Sequence, residues 1–153
     1  VFGKSHELPR YQKLYGNGTY RYSNFKMKAD PEIPNLVQKC IDFSISKYPD
    51  FKWNAVLVNW YIDGKDYVSW HADDERDLNE KSPILSFSFG HSRVFKYKGN
   101  KNHGDIRERK IETLSNSCIV MEGDFQKECI HCISKTSKKV GPRINITVRS
   151  INT

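Results

Sequence analysis

The sequence predicts a mostly β fold with one flanking helix, an antiparallel sandwich or barrel of the double-stranded β-helix (jelly-roll) type. Two observations predict it. Residues 30 to 48 repeat apolar side chains at helical spacing, and after Asp50 the chain breaks into short strand-like runs separated by Gly, Asn, Asp and Pro clusters. A third observation says where function lies: in "RINITVR", residues 143 to 149, polar and apolar side chains alternate strictly.

Taken in order, residues 1 to 28 come first. They hold six Lys or Arg (Lys4, Arg10, Lys13, Arg21, Lys26, Lys28) against one acid, Glu7, a net +5 within a chain of +7. Phe2, Tyr11, Tyr15, Tyr20, Tyr22 and Phe25 are interleaved with them. Cations bind phosphates regardless of sequence and rings stack on bases, so the mixture suits a nucleic-acid surface; a solvated basic flap with rings packed on the core is the alternative.

Asp30-Pro31 reads as an N-cap and first helical position. Ile33, Leu36, Val37, Cys40, Ile41, Ile45 and Tyr48 continue the helix to Pro49. The expected strands are "NAVLVNWYI", "YVSWHAD", "PILSFSFG", "SRVFKYKG", "SCIVMEG", "ECIHCIS" and "RINITVRSI", with "KGNKNHGDIRERK" as an exposed hairpin loop.

At 153 residues the chain is one domain, 1–153, with a basic, aromatic segment at 1–28 and a jelly-roll core at 50–151. Hydrophobic residues at 37% and charged residues at 28% describe a folded protein and exclude a disordered one. No run approaches the roughly 18 apolar residues of a membrane span and no secretory signal opens the chain, so an intracellular protein, nuclear or cytoplasmic, is expected. It starts at Val1 and not Met, which leaves room for residues upstream. No oligomer interface stands out, and a monomer is the default. The four cysteines lack disulfide-dense spacing. Cys129 and Cys132 form a C-x-x-C around His131, but a closed zinc site needs two such pairs and only Cys118 is nearby in sequence.

Three constellations carry chemistry. His71-x-Asp73 in "WHADDERD" places an imidazole and a carboxylate on one face of a strand. His131, in another strand, can complete the two-histidine, one-carboxylate triad of non-haem Fe(II) oxygenases; a buried His131 with no metal is the alternative. In "RINITVR", Arg143, Asn145, Thr147 and Arg149 form a donor-rich row with no acid among them. Two guanidinium forks there suit a small dicarboxylate. Asn59 and Tyr61 offer an amide and a phenol to the same guest.

In order and approximate spacing, N-x-Y-x-D-G, W-H-x-D-D-E-R, S-F-S-F-G, M-E-G-D, a lone His and R-x-N-x-T-x-R resemble the AlkB family of Fe(II)- and 2-oxoglutarate-dependent dioxygenases, from residue 1 to Arg149. The opening Phe2-Gly3-Lys4, Pro9-Arg10, Tyr15-Gly16 and Tyr20-Arg21-Tyr22-Ser23 is similar to that of the eukaryotic-type nucleic-acid demethylases.

The resemblance implies that His71, Asp73 and His131 bind Fe(II). It implies that Asn59, Tyr61, Arg143, Thr147 and Arg149 hold 2-oxoglutarate, with Asn145 in support, Arg143 on the distal carboxylate and Arg149 nearer the metal. With O2 as co-substrate, the family hydroxylates an N-methyl group on a damaged base such as 1-methyladenine or 3-methylcytosine, releasing succinate, carbon dioxide and formaldehyde. The implied partner is alkylated DNA, single- or double-stranded, and also RNA.

Residues 1–28 become a nucleotide-recognition lid, with Tyr22 and His71 stacking the extruded base, Tyr20 and Arg10 lining its pocket, and Phe2, in Phe2-Gly3-Lys4, filling the gap in the stack. Asp74 is implied over the substrate, while Glu75, Arg76 and Asp77 are expected to stabilise their own loop, by pairing with each other or with the lid. Two departures stand out. Cys129-Ile130 replaces an aromatic or bulky polar residue before the second histidine, and "VFGK" resembles duplex-acting members whereas "MEGDFQ" resembles single-strand- and RNA-acting ones. A protein-hydroxylating oxygenase, or a nucleic-acid-binding module with a dead centre, are the readings from other classes.

Overall fold

The computed structural model describes residues 10–17, 19–22 and 25–152. Phe2, Gly3 and Lys4 lie outside the described residues, as do the side chains of Tyr20 and Tyr22. The elements in chain order are β1 (Tyr11–Gly16), β2 (Thr19–Tyr22), β3 (Phe25–Lys28), α1 (Asn35–Lys47), β4 (Ala55–Tyr61), β5 (Val68–His71), β6 (Ile84–Gly90), β7 (Val94–Gly99), β8 (Arg109–Glu112), β9 (Ser117–Met121), α2 (Phe125–Glu128), β10 (Cys129–Ile133) and β11 (Arg143–Arg149).

The strands build two antiparallel sheets. The major sheet has the order β1-β4-β11-β6-β9, the minor sheet β5-β10-β7-β8, and β2 pairs with β3 as a separate hairpin. Leu14, Leu57, Tyr61, Ile84 and Met121 of the major sheet meet Phe95 and Ile133 of the minor sheet in one apolar cluster, so the sheets pack face to face as a jelly roll requires. On the opposite face of the major sheet, Val37, Cys40 and Ile41 of α1 pack against Val56, Leu85, Phe87, Ile146 and Val148. Ile146 and Val148 therefore lie under the helix, and the polar residues alternating with them are turned between the sheets.

Four local expectations change. The helix starts at Asn35, not Pro31. Pro34 disfavours helical geometry at Ile33, and Asp30 is tied instead to β1, its Oδ2 against Lys13 Nζ at 2.8 Å and its backbone bonded to Leu14 and Gly16. The buried stripe is Val37, Cys40, Ile41 and Ser44, while Leu36 and Ile45 face solvent. Within residues 1–28, β1 forms an edge of the major sheet by pairing with β4 from Tyr11–Trp60 to Gly16–Ala55. The charged hairpin loop gives up Arg109 and Lys110 to β8, and a one-turn helix, α2, precedes β10. No helix among the described residues is long and apolar enough to cross a membrane.

Candidate metal and dicarboxylate site

β5 and β10 pair with His71 directly opposite His131, and a register shift follows between His131 and Ile133. The two histidines thus sit on neighbouring strands of one sheet, their rings 4.3 Å apart, and not on facing strands. Asp73 lies two residues beyond the end of β5, so it reaches the histidines from a connection and not by sharing a strand face with His71. Its backbone N–H donates to Gln126 Oε1 at 2.9 Å, which anchors that connection to α2.

Asp73 Oδ1 is 3.7 Å from His71 Nε2, and Oδ2 is 3.6 Å from His131 Nε2. One ligand atom from each residue lies within 4.8 Å of the others. A metal ion about 2.1 Å from each ligand bridges such separations with small side-chain adjustments. The protonation states agree. Burial pushes His131 down to about 4, against the pull of Asp73, so its imidazole is neutral at pH 7. Burial works to raise the Asp73 carboxyl, but Arg149 and the two histidines outweigh it and hold the group below its usual value. His71 Nδ1 lies 2.8 Å from Ser69 O, a contact in which Nδ1 is the donor, and its Nε2 is the ring nitrogen directed at Asp73. The donor set fits a divalent first-row metal.

The polar row of β11 is buried. Arg143 is 2%, Asn145 7%, Thr147 4% and Arg149 3% exposed, so solvent does not account for the alternation. Arg143 stands opposite Tyr61 and Asn145 opposite Asn59 in the β11–β4 register, which brings the amide and phenol of β4 beside the β11 donors. Asn145 is saturated: Nδ2 donates to Ser86 Oγ at 2.8 Å and Phe87 O at 3.0 Å, while Oδ1 accepts from Thr147 Oγ1 at 3.0 Å and Asn59 Nδ2 at 3.3 Å. Asn59 Oδ1 accepts from Arg10 Nε and Gln12 Nε2, both at 2.9 Å.

The two arginines differ. Arg149 Nη2 meets Asp73 Oδ1 at 3.1 Å and its Nη1 is 3.6 Å from Glu75 Oε1. Glu75 therefore pairs across the fold, not merely within its own loop. Arg143 Nη2 donates to Ser88 Oγ at 2.9 Å and its guanidinium lies 5.1 Å from the Tyr61 ring centre. Arg143 Nε and Nη1 are buried and donate to no acceptor among the described residues. A buried cation with donors to spare is matched by an anion, and a carboxylate fits its fork.

His71, Asp73, His131, Asn59, Tyr61, Arg143, Asn145, Thr147 and Arg149 line one cavity, and so does Arg10. Asp74 does not. It is exposed and lines a second cavity, of about 210 Å³, with Glu75, Arg76 and Gln126.

Residues 4–149 match the family described as the 2OG-Fe(II) oxygenase superfamily. The chain belongs to that superfamily. The superfamily implies Fe(II) and 2-oxoglutarate, and the His-Asp-His cluster is a candidate metal site. Within the superfamily the chain is 34% identical to DNA oxidative demethylase ALKBH2 of Bos taurus, over 99% of this chain and 56% of that one. It is 34% identical to the Homo sapiens ALKBH2, over 99% and 60%. It is 32% identical to alpha-ketoglutarate-dependent dioxygenase alkB homolog 3 of Mus musculus, over 94% and 52%. The relatives are thus of AlkB type, and the chain spans between 52% and 60% of their length. A solved structure, of OsALKBH1, superposes with a TM-score of 0.63 at 19% identity, covering 97% of this chain and 82% of that one, and supports the fold.

Three contributors escape sequence reasoning: Gln12, which bonds Asn59; Gln126, which holds Asp73; and the serines of β6, which receive Asn145 and Arg143. Each works through a partner more than 45 residues away, and only the pairing of β1 with β4 could have pointed to Gln12.

Proposed function

We propose that the chain is an oxidative demethylase of N-alkylated bases, 1-methyladenine and 3-methylcytosine, in DNA, with RNA as a second substrate. The observation that carries the reading is the buried donor row of β11 beside the His-Asp-His cluster, where Arg143 Nε and Nη1 have no acceptor among the described residues. The names of the ALKBH2 relatives support the substrate class.

When bound, Fe(II) and 2-oxoglutarate supply with O2 the oxidation of an N-methyl group, yielding succinate, carbon dioxide, formaldehyde and the restored base. His71, Asp73 and His131 hold the metal, and the Asp73 charge offsets part of its own. Arg149 keeps that carboxylate ionised and aimed. Arg143 pairs with the distal carboxylate of 2-oxoglutarate, Tyr61, Asn59 and Thr147 fix its orientation, and Asn145 locks the amide network behind them. Arg10 borders the same cavity and faces the base. Tyr20, Tyr22, Phe2, Gly3 and Lys4 supply stacking and phosphate contacts to the extruded nucleotide, and Asp74 accepts a hydrogen bond from it.

The test is anaerobic loading with Fe(II), then O2 and 2-oxoglutarate with methylated oligonucleotides in single-stranded DNA, duplex DNA and RNA. Formaldehyde and repaired base are expected from the intact chain, with none from His71→Ala and a steeply raised 2-oxoglutarate requirement in Arg143→Ala. Succinate without repair would move the substrate elsewhere; neither product from folded, iron-loaded protein would overturn the reading.

A further inference from the structure

Arg93 immediately precedes β7 and belongs to no constellation described so far. It is 4% exposed, and burial, which works against its charge, is partly opposed by the Asp66 and Asp63 carboxylates. Its fork donates to three main-chain carbonyls: Nη1 to Asp63 O at 3.1 Å, and Nη2 to Asp66 O at 3.0 Å and Ser134 O at 2.6 Å. Its own backbone is tied to Thr113, whose hydroxyl receives the Arg93 N–H at 3.0 Å and donates back to the Arg93 carbonyl at 2.9 Å. One guanidinium thus joins the β4–β5 connection to the segment after β10.

The Asp66 and Asp63 carboxylates offset part of the cost of burying its charge. An aromatic ring adjoins it as well. Arg93 Cζ lies 5.8 Å from the Tyr61 ring centre, and Arg143 Cζ lies 5.1 Å from the same centre. Tyr61 is the last residue of β4, so its ring stands where the strand runs into the connection that Arg93 pins. A cation near an aromatic ring draws on its electron density and makes the phenolic O–H a better donor. Inside a protein, where charges are poorly screened, its field also adds to that of Arg143.

We propose that Arg93 is a positioning residue for the distal carboxylate of 2-oxoglutarate, acting through Tyr61 and the 62–67 connection. The proposal rests on the reading of this cavity as the 2-oxoglutarate site. It does not give Arg93 a contact with the ligand. It makes the distal end of the site depend on a residue that the metal-binding end does not need.

That asymmetry can be measured without turnover. Mn(II)-loaded protein is titrated calorimetrically with 2-oxoglutarate and, separately, with oxalate, which can chelate the metal but has no distal carboxylate. In Arg93→Lys, which keeps the charge but loses the fork, 2-oxoglutarate is expected to bind at least about tenfold more weakly while oxalate affinity is unchanged. In the Tyr61→Phe background the same substitution should cost less, because the phenol through which it acts is gone.

Arg93→Gln serves if the lysine variant does not fold, with near-ultraviolet circular dichroism as the check on folding. Equal losses for both ligands, no loss for either, additive effects with Tyr61→Phe, or failure of both Arg93 variants to fold would each overturn the proposal in favour of a purely structural role. If the unsubstituted protein does not prefer 2-oxoglutarate to oxalate, the cavity reading itself is what fails.

Discussion

Asp73 shows how one side chain serves both packing and chemistry. It is buried, meets Arg149, and faces two histidines whose Nε2 atoms lie 3.6 and 3.7 Å away. Asp73→Asn keeps the volume and removes the charge. It is expected to abolish Mn(II) retention, followed by electron paramagnetic resonance, and to cost about 1–3 kcal/mol of stability through the weakened Arg149 contact, measured by urea denaturation. Mn(II) binding at the original affinity would remove Asp73 from the metal set. At this scale the sequence was half legible. Alternation put Arg143, Asn145, Thr147 and Arg149 on one face, but a solvent-facing strand alternates in the same way, and only the second sheet and the β4 register turn that face into a buried site. Arg93 was not legible at all, because its fork bonds to main-chain carbonyls that no side-chain pattern announces.

Elements were legible where one face is buried and illegible where none is. β4, β6, β10 and β11 are anchored by core side chains and fall within the expected runs. β8 has four exposed residues, so nothing in its pattern separates it from a loop. The start of α1 was misplaced because two prolines competed for the first turn, and the strand pairing of Asp30 excluded the earlier one. Connections position the site as much as strands do, and the 62–67 connection offers a test. Thr136 N–H donates to Gly64 O at 2.9 Å, and a Cβ at Gly64 would stand 2.4 Å from Thr136 O. That oxygen is backbone and cannot swing away, so the two segments must separate. Gly64→Ala is expected to cost about 1–3 kcal/mol, read from the urea midpoint. It should also weaken 2-oxoglutarate binding, since the connection follows Tyr61 directly. An unchanged midpoint would show that the connection yields without cost.

In the whole molecule the major sheet has two cores, one between the sheets around the site and one beneath α1. They share β4 and β6, whose alternate residues serve opposite faces, so loss of one core should take the other with it. Cys40 on α1 and Cys118 on β9 report on the helix side. Burial pushes the Cys40 thiol up to about 11, with Cys118 adding to the effect, and burial likewise pushes Cys118 to about 11. Raised folded values mean that these thiols contribute stability fully below pH 9, and that it is lost as the pH rises through 11. At pH 8 the native thiols are therefore protonated; Cys40 is also buried, so its alkylation proceeds through opening, whereas Cys118 is half-buried. Mn(II) with 2-oxoglutarate at a hundred times its dissociation constant adds about 2.7 kcal/mol of stability through the site core alone. If both cores open together, alkylation of the buried Cys40 should slow about a hundredfold by that same linkage, followed by mass spectrometry of the labelled peptide. Slowing of only a few-fold would mean that α1 undocks by itself, and that the buried polar row is held by the two sheets without the helix behind them.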